Sequence, residues 1–135
     1  MPGKSNSLLR NPALWTGLVL LWMAVLYYLS SRSDLPHGPE IPQFDKVKHA
    51  FYFMCGASML FLALRLKANP PPLRTCLIVI VIFAVVVGAL DEYHQTFTPG
   101  RSGNDWGDLL ADFVGGLLGT RLGPRLLVWL RPAAQ

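Results

Sequence analysis

Four long apolar blocks dominate this chain, and they leave it few ways to fold. They are Pro12–Ser30, Val47–Leu66, Leu73–Leu90 and Leu109–Leu130. Each reaches or approaches the roughly 17–25 residues with which a helix crosses a bilayer. Soluble domains usually carry about 25% charged residues. This chain of 135 residues carries 15%, against 52% hydrophobic residues and a mean hydropathy of +0.36. The pattern predicts an all-α membrane protein with four transmembrane helices, and it excludes a soluble domain large enough to fold alone. Residues 1–11 and 131–135 are read as short tails flanking one membrane domain over 12–130. Lys4 and Arg10 precede the first block, as they would in a signal peptide. Its apolar core is longer than the usual about 7–15 residues and no A-x-A site follows, so a retained helix is expected.

Lysine and arginine set the expected orientation. Lys4, Arg10, Arg65, Lys67, Arg74, Arg121, Arg125 and Arg131 fall on one side of the four blocks, in segments without an acid. Arg32, Lys46, Lys48 and Arg101 fall on the other, with every Asp and Glu. Both termini are therefore expected in the cytoplasm, and the acid-bearing ends at the outer face. The net charge of +4 reads as a topology signal plus attraction to anionic lipid heads, with no nucleic-acid footprint. Membrane lipid is the expected partner, and no cofactor is expected.

Punctuation residues fill the connections. Asn11 and Pro12 suit a helix cap and first turn. Tyr27 and Tyr28 stand where an aromatic belt would lie, with Trp15 and Trp22 on the same helix. Pro36, Pro39 and Pro42 predict an extended, irregular loop over Ser31–Phe44. Asn69 and Pro70–Pro72 form a stiff connection, and Thr98-Pro99-Gly100 signals a turn. Gly123-Pro124 is expected to kink or end the last helix, leaving an interfacial segment with Trp129. Cys55 and Cys76 fall at different depths of their helices, which argues for packing residues and against a disulfide.

Chemistry concentrates in Leu90–Thr120, where acids run straight into apolar helices. A carboxylate there costs several kcal/mol unless it is paired, hydrated or bound to something. Asp45, Lys48, His49, Tyr52, Cys55, Gly56 and Met59 recur at helical spacing on the second helix. Gly88, Glu92 and Gln95 do so on the third, with Asp91 at the edge. Asp105, Asp108, Asp112, Gly115, Gly116 and Gly119 share one face of the fourth. Packing these faces together would bury the polar groups in one pocket at the outer membrane face. Its binding residues are expected to be Asp45, Lys48, His49, Glu92, Gln95, Arg101, Asp105, Asp108 and Asp112.

Each feature also has a plainer reading. Asp105 suits a helix N-terminus, which favours negative charge. Asp108 and Asp112 lie one and two turns deeper, where that explanation fails, and are expected to pair with Arg101, Lys48 or His49. His49 reads equally as a hydrogen-bond partner and as a base or proton relay. A metal site from His49, Glu92, His94 and Asp108 matches no ligand spacing, so none is expected. Gly115, Gly119 and Gly123 form a small-residue stripe that would pack either within the chain or between two copies. There is no G-x-S-x-G, H-E-x-x-H or phosphate loop; Ser102, Thr96 and Tyr52 are the few outer nucleophiles.

Taken together, Asp45-Lys46-x-x-His49, Asp91-Glu92-x-x-Gln95, Pro99-Gly100-Arg101 and Asp105-x-x-Asp108 resemble the VanZ-like family, over most of the chain from Ser30-Ser31 through Gly119. The resemblance implies a small bacterial multi-pass membrane protein of the cell (inner) membrane and envelope; the family's namesake is associated with teicoplanin resistance. Where this family often has Asn before the glycine run, this chain has Asp112. Protonated or paired, Asp112 would imitate Asn; ionised, it would change the pocket's charge. Three functions follow as expectations. One is binding of a polar or anionic headgroup or cell-wall precursor, with Arg101, Lys48 and Lys46 on a phosphate. Another is a hydrolase or transferase on a lipid-linked substrate, with His49, Glu92 and Asp108 as candidate catalytic groups. A proton-relay or transport element is the third.

Overall fold

A computed structural model of the protein describes residues 7–34 and 41–130. The expected tail character of residues 1–6 and 131–135, and of Pro36 and Pro39 in the first loop, falls outside them. Four helices make up the fold: α1 (Pro12–Ser30), α2 (Phe44–Arg65), α3 (Leu73–Gln95) and α4 (Trp106–Trp129). No strand occurs among the described residues. They run up and down, so the end of α1, the start of α2, the end of α3 and the start of α4 meet at one end. The α2–α4 pair is the most extensive packing, with α3 against α4 and α1 against α2 next.

Local chemistry explains the helix ends. Asn11 caps α1 by accepting the Ala13 N–H at 2.9 Å, with Pro12 in the first turn. Asp105 caps α4 by accepting the Gly107 N–H at 2.7 Å. Residues 7–10 are not a loose tail: they form a turn, and Trp15 Nε1 donates to the Leu9 carbonyl at 2.8 Å. Thr98-Pro99-Gly100-Arg101 closes as a turn with the Arg101 N–H on the Thr98 carbonyl and Gly100 at φ 77°. The Pro71 carbonyl accepts from Arg65 at 2.7 Å, which ties the proline connection to the end of α2.

Three boundaries differ from the sequence reading. Helix α2 begins at Phe44, α3 runs on to Gln95, and α4 begins at Trp106, because polar residues continue each helix past its apolar block. Hydropathy ends where polarity begins, whereas a helix ends where its hydrogen bonds do. Pro124 does not end α4, which continues to Trp129. Gly123 stands directly before it, and with no Cβ it avoids the clash that drives residues before proline out of the helical region.

The core is narrow and the outside is greasy. Phe53, Phe61, Leu62, Ile80 and Cys76 are fully buried between helices. Leu20, Leu21, Val25, Ile78, Ile82, Val86, Leu110, Leu117 and Leu118 face outward. Helices α1, α2 and α3 are each long and apolar enough to cross a membrane. Cys55 and Cys76 are both free, as expected. Trp22 locks α1 to α2 reciprocally: its Nε1 donates to the Tyr52 carbonyl at 3.1 Å, while Tyr52 Oη donates to the Trp22 carbonyl at 2.8 Å.

The glycine stripe is spent within the chain. A Cβ on Gly115 would lie 2.8 Å from Phe53 Cβ, on Gly119 2.9 Å from the Met54 carbonyl, and on Gly123 2.6 Å from Phe61. All three partners belong to α2, so these glycines are covered by α2 and not left open to a second copy.

Candidate functional site

Extension of the helices beyond their apolar blocks brings most of the polar groups to one end of the bundle. There a cavity of about 640 Å³ opens between the end of α1, the start of α2, the end of α3 and the loop into α4. Asp45, Lys48, His49, Gln95, Arg101, Asp105 and Asp108 line it. Asp91, Tyr52, Ser102 and Ser30 line it too, and Leu26, Leu29, Phe51 and Phe53 supply an apolar wall.

The acids of α4 are held differently from the expectation. Arg101 and Lys48 do not pair with them; Lys46 does. Its ammonium lies 2.6 Å from Asp105, 2.7 Å from Asp108 and 3.1 Å from Asp45. The sequence puts Lys46 on a phosphate and not on these acids, because it lies off the stripe of Asp45, Lys48 and His49, on the flank of α2. A helix-face argument places the Cβ, but a four-carbon stem carries the charge elsewhere. One signal was available in Gly107: a Cβ there would lie 2.8 Å from Lys46 Cε, so the glycine clears the path of the lysine.

Asp112 does pair with His49, as anticipated, with Nδ1 and Oδ1 3.0 Å apart. On the other side of the ring, Nε2 is 3.9 Å from Asp108 Oδ2. Asp112 is fully buried, and its Oδ2 has no hydrogen-bond partner among the described residues. That oxygen abuts Gly88 of α3, where a Cβ would be only 2.6 Å away. The glycine of the third stripe is thus the space into which the carboxylate fits.

Two residues of α3 organise the loop. Glu92 does not line the cavity. Its Oε2 accepts the backbone N–H of Asp105 at 2.6 Å, and it borders a small neighbouring pocket with Asn104 and Trp106. Gln95 sits between opposite charges: its Nε2 donates to Asp91 at 2.8 Å, and its Oε1 accepts from Arg101 at 3.0 Å. Lys48 lies over the Phe44 ring at 5.6 Å. His94 is away from the cavity, stacked on Tyr27 with Nδ1 3.3 Å from Ser30 Oγ.

The donor set does not favour a metal. Asp45, Asp105 and Asp108 approach closely enough to share an ion, but the ammonium they share is that of Lys46. In the loop ahead of α4, the Lys46 hydrogen bond is the chief reason the Asp105 carboxyl is held below its ordinary range.

The fold and site define an α-helical membrane protein with a polar cavity at one end of an otherwise apolar bundle. The chain belongs to the VanZ/LLP1 family, whose model matches residues 8–128. No curated protein and no solved structure matches it.

Proposed function

We propose that this protein is a four-span bacterial envelope protein that binds the polar headgroup of a membrane amphiphile or cell-wall precursor in the α1–α4 cavity. The observation that carries the reading is the cavity's two-sided lining, with charged and amide groups facing leucine and phenylalanine. Such a site suits a molecule with a polar head and an apolar chain. Helix α4 supplies the fourth span: its 24 residues are about 36 Å long at helical rise. Asp108 and Asp112 are turned inward and buried, while Leu110, Leu117 and Leu118 face out. Both termini then lie in the cytoplasm, following the acid-free basic segments. Topology is tested by cysteine labelling of sealed cells. Ser102→Cys should react from outside and Asn69→Cys should not; the opposite result would invert the orientation. Gly103 is unsuitable for this test, since a Cβ there would lie 2.5 Å from the Glu92 carbonyl.

Native mass spectrometry of the protein released from membranes tests the binding. Wild type should retain a lipid-sized adduct, Arg101→Ala should lose it, and Arg101→Lys should recover it poorly, because lysine lacks the planar fork. Full retention by Arg101→Ala would sink the headgroup reading. A role in teicoplanin tolerance, suggested by the family's namesake, is tested separately by susceptibility of cells with and without the gene.

One observation favours an enzyme as the second reading. Asp112 orients His49 from behind while the ring borders the cavity, an arrangement suited to a general base. Glu92 is a poorer candidate, since it accepts a backbone N–H outside the cavity. Turnover of a lipid-linked substrate lost in His49→Gln with binding retained would establish this reading over simple binding.

A further inference from the structure

The cavity's charges are unevenly satisfied, and the pattern of what is left over describes a ligand. Lys46 is consumed by Asp45, Asp105 and Asp108, and His49 gives a ring nitrogen to Asp112. Three charged residues on the cavity wall then have no opposite charge in ion-pair contact among the described residues: Asp91, Lys48 and Arg101. Asp91 is only 6% exposed, and its hydrogen bond comes from the neutral amide of Gln95. A carboxylate so buried is costly without a counter-charge. Arg101 commits one bond to the same amide and has further donors to offer.

Gln95 keeps these opposite charges one amide apart instead of letting them collapse together. A neutral spacer with a cation on one edge and an anion on the other leaves room for a ligand of matching polarity. Resting on the headgroup reading above, we infer that the cavity takes a zwitterionic headgroup, with a phosphate on Arg101 and Lys48 and a primary ammonium on Asp91. A primary ammonium fits better than a quaternary one, because Asp91 offers acceptors and no aromatic cage surrounds it; the Tyr52 ring is already stacked on Trp22 at 5.0 Å. Leu26, Leu29 and Phe51 receive the first carbons of the attached chains.

Calorimetric titration of the full chain in a phosphate-free maltoside detergent tests this. The probes are short-chain phosphatidylethanolamine, phosphatidylglycerol and phosphatidylcholine, which share a phosphate diester and differ in the group beyond it. The ethanolamine lipid should bind about tenfold more tightly than the other two, the worth of one charge-assisted hydrogen bond. Asp91→Asn should bring the ethanolamine lipid down to the glycerol lipid's affinity, while Arg101→Ala should weaken both by about tenfold. Chain-free glycerophosphoethanolamine tells a lipid from a soluble source: the same ammonium preference with undiminished affinity supports a soluble zwitterion, and with weaker affinity a lipid. Equal binding of ethanolamine and glycerol lipids by wild type, which needs no variant to fold, overturns the zwitterion inference and leaves the headgroup reading standing. Binding of none of the probes overturns the zwitterion inference, and the headgroup reading then stands or falls on the adduct experiment above.

Discussion

The α2–α4 seam is built from different physics at its two ends. At the cavity end, Lys46 and His49 of α2 reach across to Asp105 at the N-cap of α4 and to Asp108 and Asp112 within it. At the far end no charge crosses the seam: Gly115, Gly119 and Gly123 lie against Phe53, Met54 and Phe61. Lipid gives helices no hydrophobic reason to associate, so the far end relies on close van der Waals approach. The cavity end is held instead by polar side chains that cross the seam, and the cavity opens beside it against α1, α3 and the loop into α4. One helix pair thus combines a rigid clamp with an open, polar mouth.

The largest effect should come from prying the clamp apart. Gly119→Leu drives a side chain into the Met54 carbonyl and Ala57. It should cost about 3 kcal/mol or more, since overpacking rarely relaxes in a close-packed seam. Reversible unfolding in detergent reads this directly, and a loss below about 1 kcal/mol would mean the seam is looser than described.

At the boundary between the two ends stands Asp112. Asp112→Ala strands the ring nitrogen of His49 and should cost about 2 kcal/mol. Asp112→Asn keeps a hydrogen-bonding oxygen and should cost under about 1 kcal/mol. Equal losses in both variants would show that charge, and not the hydrogen bond, holds His49.

Removing Lys46 should have a smaller effect on stability and a larger one on the mouth. Its ties are partly open to solvent, so Lys46→Ala should cost about 1 kcal/mol. It leaves Asp45, Asp105 and Asp108 mutually repelling, and proteolysis within the loop at Ser102 should accelerate. Unchanged cleavage would place the loop's anchor in Glu92 and Gln95 instead.

Acid should loosen only the charged end. The Asp105 carboxyl titrates below its ordinary value of 3.8 because Lys46 hydrogen-bonds it. A depressed folded value means the tie contributes fully above the ordinary value, and the contribution is lost as pH falls through the lower folded value. Melting temperature followed from about pH 6 to about pH 2 should therefore drop at the acid end, and Asp105→Asn should flatten part of that drop. A slope identical in Asp105→Asn would remove the Lys46–Asp105 tie from the account.

Much of the bundle was legible in the chain because its causes are local. Apolar blocks of bilayer length, Asn11 before Pro12, and Asp105 ahead of a helical run act within a turn or two of themselves. Periodicity also marked the polar faces, since i, i+3 and i+4 positions share a side whatever they meet. For that reason His49 is among the three expected partners of Asp112, with Arg101 and Lys48, and the structure selects it.

The sequence by itself determined the helices, their apolar exteriors and the gathering of polar groups at one end, because hydropathy and helical repeat are properties of neighbouring residues. Only the tertiary structure decided who pairs with whom. Lys46 and not Arg101 neutralises Asp105 and Asp108, because its stem passes Gly107. Glu92 turned to a backbone N–H, and Gln95 came to rest between Asp91 and Arg101. These outcomes depend on distances of a few ångströms between helices far apart in the chain, and Coulomb and hydrogen-bond energies change steeply over that range.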